Sequence, residues 1–173
     1  MGKKYPSTLE RALGGDDAAR AKVIESTLGP VFDLSVHLCG RAEEAGALAR
    51  SALVTLDAAL RTGSLPGPSA LAFAVAAVLG RAGEHAQGPE FFGDLPASGS
   101  RALLVKLACD PTVDELQSLF GVEGEDLVVN ALRTLGGEPD EWSDRLDEHA
   151  AQFPLPEGIT DGLITDSDDE TEP

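Results

Sequence analysis

Apolar residues recur at helical spacing along most of the chain, and glycine, proline and serine interrupt them where helices should end. The stretch LERALGGDDAARAKVIESTLGPVFDLSVHLCG, residues 9–40, is punctuated at Gly14–Gly15 and again at Gly29–Pro30, and Asp16 and Asp17 stand where they would cap a helix running toward Leu28. In RAEEAGALARSALVTLDAALRTG, residues 41–63, Ala45, Leu48, Ala52, Leu56, Ala59 and Leu60 keep one face apolar, and Gly63 closes the helix. SLPGPS is a clear break, after which Ser69 is placed to cap a buried helix over 70–81. Residues 83–100 are rich in Gly, Pro and Ser and have the composition of a linker, with Phe91 and Phe92 as a packing anchor inside it. Beyond it the spacing predicts a helix over 101–108. Two more follow in PTVDELQSLFGVEGEDLVVNALRTL, residues 111–135, with the cadence of a helix-turn-helix, and a short helix near 140–153 carries Trp142.

The predicted architecture is all-α. Two small helical domains, 1–82 and 101–153, are joined by the linker 83–100, the second is a helix-turn-helix, and an acidic tail over 154–173 is expected to be disordered. That tail holds seven acids, three prolines and no base. Composition agrees: 42% of residues are hydrophobic, with alanine and leucine foremost, while aromatics make up 5% and β-branched runs are few. The longest apolar stretch, ALAFAVAAVLG, is too short for a membrane span. No charged-then-apolar leader opens the chain, and Pro6 stands where a myristoylation pattern needs Ser or Thr. Cys39 and Cys109 form no CxxC pair and lie in apolar helical contexts, as buried free thiols in a reducing compartment do. A cytoplasmic protein is expected.

Charge changes the picture once it is mapped. Residues 1–106 hold 11 basic and 11 acidic side chains, whereas residues 107–173 hold only Arg133 and Arg145 against 19 acids. The whole formal charge of −17 therefore lies in the part that contains the helix-turn-helix pattern. Such a polyanion releases no counterions at phosphates and is repelled by them.

Two segments carry a family resemblance. VFDLSVHLCGRAEEAGALARSALVTLDAAL, residues 31–60, shares Val31, Leu34, Leu38, Gly40, Ala45, Leu48 and Ala59–Leu60 with the first conserved helices of bacterial sigma factors of the extracytoplasmic-function type. LPASGSRALLVKLACDPTVDELQSLFGV, residues 95–122, resembles the L-P-x-x-x-R-x-x-L-L lead-in to the C-terminal helix-turn-helix of that family. Order, spacing and the intervening linker agree over residues 9–135. The resemblance implies a polymerase-binding first domain and a promoter-reading second one.

The departures fall on the residues that such work needs. Where the family has an acidic-Gln-Glu cluster and an aromatic that grip RNA polymerase, this chain has Ala47, Arg50, Ser51 and Leu53. The helix that should open promoter DNA and trap a base offers only Phe73 as aromatic and Arg81 as charge. In the helix that should read the major groove, Leu127, Ala131 and Leu135 keep the core face, while Asp126, Val128, Val129, Asn130 and Leu132 are expected to point outward. Asn130 and Arg133 remain, but Glu123, Glu125 and Asp126 crowd the end that would enter the groove. Direct DNA binding by this helix is not expected.

A frame kept without that chemistry fits a non-enzymatic transcription-related regulator that acts by protein–protein contact, imitating a sigma factor toward an anti-sigma factor, RNA polymerase or another regulator. The expected contact surface is Glu125, Asp126, Val128, Val129 and Leu132, an apolar patch rimmed by acids, unless another helix of the chain covers the three aliphatics. A second surface is expected around Leu48, Arg50 and Leu53. Two alternatives stand beside this reading: an active extracytoplasmic-function sigma factor, and a scaffold that reuses the fold. No catalytic constellation, cofactor motif or metal-ligand spacing is visible. His37, His85 and His149 are far apart in sequence and are expected to be surface or satisfied core residues.

Overall fold

The computed structural model describes residues 6–83 and 88–164, and among them the regular structure is entirely helical. Eight α-helices follow in order: α1 (Thr8–Leu13), α2 (Asp17–Cys39), α3 (Ala42–Arg61), α4 (Ala70–Ala82), α5 (Ala97–Cys109), α6 (Val113–Phe120), α7 (Gly124–Leu135) and α8 (Pro139–Ala150), with one 3-10 turn at Glu90–Phe92.

Several helix starts follow from side-chain oxygens that satisfy free backbone N–H groups. Asp16 accepts from the Ala19 amide at 2.9 Å, and Ser69 accepts from the Ala72 amide at 3.1 Å. Ser7 with Glu10, and Thr112 with Glu115, form reciprocal capping boxes at α1 and α6. At the end of α2, Gly40 takes the left-handed conformation with φ 65°, which an L side chain resists.

The expected break at Gly29–Pro30 does not occur, and α2 runs straight through Pro30. Proline removes one intrahelical hydrogen bond, and the Ser26 carbonyl thereby loses its usual donor. Ser26 is solvent-exposed, so water can take that place, and the flanking core contacts hold the helix together. Two other boundaries move. α5 begins at Ala97, inside the stretch read as linker, and α8 ends at Ala150.

α2 lies at the centre and packs against α1, α3, α4, α5 and α8. Val31, Leu34 and Val36 are fully buried and Phe32 nearly so, so this part of the helix is covered on every side. Its buried hydroxyls turn inward to the helix's own carbonyls: Ser35 donates to Val31 and Thr27 to Val23, each at 2.7 Å. Arg20 and Asp57, both nearly buried, lie 3.3 Å apart between α2 and α3, and Arg61 pairs with the same carboxylate at 2.7 Å.

The two sequence units share one hydrophobic core. α5 contributes Ala102, Leu103, Leu104 and Val105, all fully buried, and packs on α2. Arg101 reaches across to the end of α4, donating to the carbonyls of Leu79 (2.9 Å) and Gly83 (2.7 Å). The Ser69 hydroxyl that caps α4 also bonds the Glu115 carboxylate of α6. Phe92, buried beneath the connecting stretch, meets Trp142 edge to face at 6.2 Å and acts as the expected anchor.

The packed chain continues past α8. Of residues 154–173, expected to form a disordered tail, 154–164 lie over α3 with Ile159 and Leu163 buried, and 165–173 lie outside the described residues.

A shared core should melt as one unit. Leu34→Ala is expected to lower stability by about 2–5 kcal/mol, the range for truncating a buried leucine. Backbone circular dichroism and Trp142 fluorescence should report the same transition in the wild type and in the variant. Loss of the Trp142 signal at a lower denaturant concentration than the helical signal would show that α5–α8 unfold on their own.

Candidate functional site

α7 is framed by Gly121 and Gly136, both at positive φ, and its inner face is set by Gly124, Val128 and Ala131. Gly124 lies so close to α6 that a Cβ there would sit 3.0 Å from the Leu116 carbonyl oxygen. The buried arc is wider than the face read from the sequence. Val128 turns inward and is 8% exposed, whereas Leu127 and Leu135 are only half-buried. Leu132 is also half-buried against the core.

The expected patch is therefore split. Val129, at 51% exposed, is the aliphatic that stands in solvent, flanked by exposed Glu125, Asp126, Asn130, Arg133 and Thr134. The two acids occupy the first turn, where the helix dipole favours negative charge. Arg133 is held by Asn130 at 3.2 Å. Beside this face, Leu127, Asn130, Ala131 and Thr134 meet Leu95 and Gly99 in a shallow, mostly apolar hollow.

The second expected surface, Leu48, Arg50 and Leu53 on α3, is not open. Leu53 is fully buried and Leu48 half-buried. Arg50 is engaged by the chain's own C-terminal segment: its guanidinium donates to the carbonyls of Gly158 (3.0 Å), Ile159 (2.8 Å) and Asp161 (3.0 Å). One turn earlier on α3, Gly46 receives the Pro156 ring, and a Cβ at Gly46 would lie 2.8 Å from Pro156 Cγ.

A third cluster had no signal in the sequence. His37 on α2 and His149 on α8 come within 3.0 Å through their Nδ1 atoms, and their rings stack at 5.1 Å. Phe91 and Phe153 pack against His149, and Arg145 lies over the rings of Phe91 and Trp142. Burial, with the neighbouring His149, lowers His37 to about 4, and burial also lowers His149. Both imidazoles are thus neutral at pH 7, and one donates to the other. The two residues are separated by most of the chain, which is why no local spacing announces them. His85 lies outside the described residues.

Among the described residues, no group of three His, Cys, Asp or Glu side chains is arranged to hold a metal ion, and no helix is long and apolar enough to cross a membrane. Cys39 and Cys109 are free thiols. Burial pushes Cys109 up to about 12, so it stays protonated and unreactive at neutral pH.

The chain matches no family model, no curated protein and no solved structure.

The histidine pair makes a signed prediction about pH. His37 binds a proton far less readily in the folded chain than in the unfolded one, where its value is near 6.5. Its contribution is present in full above pH 6.5 and is lost as the pH falls toward 4. His37→Gln should remove this dependence, reducing the drop in unfolding free energy between pH 7 and pH 4 by up to about 3 kcal/mol relative to wild type. Urea titrations at the two pH values measure it. An identical drop in both proteins would mean that His37 does not bury as a neutral ring.

Proposed function

We propose that this protein is a non-enzymatic, cytoplasmic, transcription-related regulator with a sigma-factor-like helical frame, working through protein–protein contact rather than by reading promoter DNA. The observation that carries the reading is the outer face of α7. Its exposed residues are Glu125, Asp126, Val129, Asn130, Arg133 and Thr134, so two acids sit at the helix start and a single cation near its end. A helix that enters a DNA groove leads with cations and amide side chains, which neutralise phosphates and pair with base edges. Here the leading end repels phosphate.

Two cations of α4 and α5 are engaged within the fold, which supports the same reading. Arg81 on α4 donates to Thr55 at 2.9 Å, and Arg101 on α5 is spent on the carbonyls of α4. Phe73, the aromatic of α4, is half-buried against the core and offers no free stacking platform. The retained frame with altered surfaces fits mimicry of a sigma factor toward an anti-sigma factor or another transcription regulator. An acid-flanked aliphatic at Val129 suits a partner surface with apolar and basic groups.

Purified protein, presented to the host's anti-sigma factors and to its core RNA polymerase with promoter DNA at low salt, tests this directly. The expected result is a complex with an anti-sigma factor that the cognate sigma factor competes away, and no sequence-specific promoter complex with or without polymerase. Sequence-specific promoter binding by the polymerase-bound protein would overturn the reading in favour of an active sigma factor.

The surface itself can be tested in the same assay. Val129→Asp should weaken the protein complex by at least about tenfold, the scale of a lost contact at an interface centre. Its circular dichroism should be unchanged, because the side chain is already half in water. Charge reversal at Glu125 and Asp126 should mainly slow association and weaken its salt dependence. Unchanged affinity in Val129→Asp would remove α7 from the interface.

A further inference from the structure

Residues 154–164 form no regular ladder. They fold into turns closed by Asp161 to Gly158 (3.1 Å) and Leu163 to Thr160 (2.9 Å), with one isolated bridge between Asp161 and Ile164. What places them on α3 is a small set of contacts of a particular kind. A proline ring seats on a glycine, where the helix backbone is bare, and two aliphatics, Ile159 and Leu163, are buried. Arg50 fastens the backbone between them through three carbonyls.

A guanidinium that binds main-chain carbonyls reads the path of a chain rather than its side chains. Gly46 and Arg50 are one turn apart, so notch and clamp lie on the same face of α3. Leu155 (48% exposed) and Glu157 remain in solvent, while Pro156, Ile159 and Leu163 turn inward at intervals of three and four residues, as a turn-forming segment seated at a few points does.

We propose that this face of α3 is a docking groove for a turn-forming, proline-led, mildly acidic segment of a partner protein, with Gly46 as its notch and Arg50 as its clamp. Residues 154–164 occupy the groove in cis and compete with that partner. The proposal rests on the reading that the protein works through protein contacts, and it supplies a second site and its control. A segment tethered this closely competes at an effective concentration of the order of millimolar, so a partner must either bind tightly or first displace the tether. Displacement exposes two aliphatics of the segment and frees Arg50, and it leaves α1–α8 in place.

The test uses the full chain and a labelled synthetic peptide of sequence PLPEGITDGLI, so it depends on neither an anti-sigma factor nor polymerase. In the variant Ile159→Asp with Leu163→Asp, amide exchange over 158–164 should rise while that of α2 and α5 stays slow. The peptide, followed by fluorescence anisotropy, should bind this variant at least about tenfold more tightly than it binds wild type. Adding Arg50→Ala to the variant should abolish the gain. Three results would overturn the proposal: global unfolding of the double variant, which makes the segment core; exposed 158–164 amides with no peptide binding; or a dimer formed by exchange of the segment between copies. Each leaves the promoter and anti-sigma experiments free to succeed or fail by themselves.

Discussion

The middle of α2 is buried around almost its whole circumference, and that single feature organises the molecule. Between Val31 and His37 every residue except Asp33 is buried, so no single neighbouring helix can shield it from water. α3 and α4 cover one side, and α5 and α8, from the other end of the sequence, cover another. Burial at about 25 cal/mol per Å² makes this the dominant favourable term, against which the polar ties are modest. The two halves are joined because α2 needs both. Arg101 on the α4 carbonyls, and Ser69 with Glu115, then fix the angle at which they meet.

Once α2 is covered, the outward surfaces are decided. α7 packs on α5 and α6 and presents its acidic face to solvent, remote from the central helix. α3 turns Ala45, Ala49, Leu53 and Leu56 inward and leaves Gly46 and Arg50 for the C-terminal segment. The frame is thus most deeply buried around α2. The turns over 154–164 are held by one cation, one proline and two aliphatics. Regions with few buried contacts open at free energies well below that of global unfolding.

Much of the fold was legible in the sequence because its signals are local. Asp16 and Ser69 mark helix starts through short-range hydrogen bonds, and Phe91–Phe92 were recognisable as an anchor. The features that escaped are those decided by packing at a distance. Pro30 stops an isolated helix, yet a helix buried on both flanks carries it. Val128 looked outward by periodicity, yet it is buried between Gly124 and Ala131, so the inward arc of α7 is wider than the face read from the sequence. The histidine pair joins positions with no local relation, and the docking of 154–164 depends on Arg50, a residue read as part of a surface for a partner. Acidic, proline-containing sequence marks an absence of regular structure; it does not mark an absence of a seat.

The central claim is a fixed helical frame with separable contact surfaces, and native-state hydrogen exchange of the unmodified protein under increasing denaturant tests it most directly. The expected result is that amides of α2 and α5 exchange together, only through global unfolding, while those of 158–164 exchange through a local opening that is nearly independent of denaturant. If 158–164 instead exchange at the same free energy and with the same denaturant dependence as α2, the segment belongs to the core, the α3 face is never offered to a partner, and the claim is contradicted.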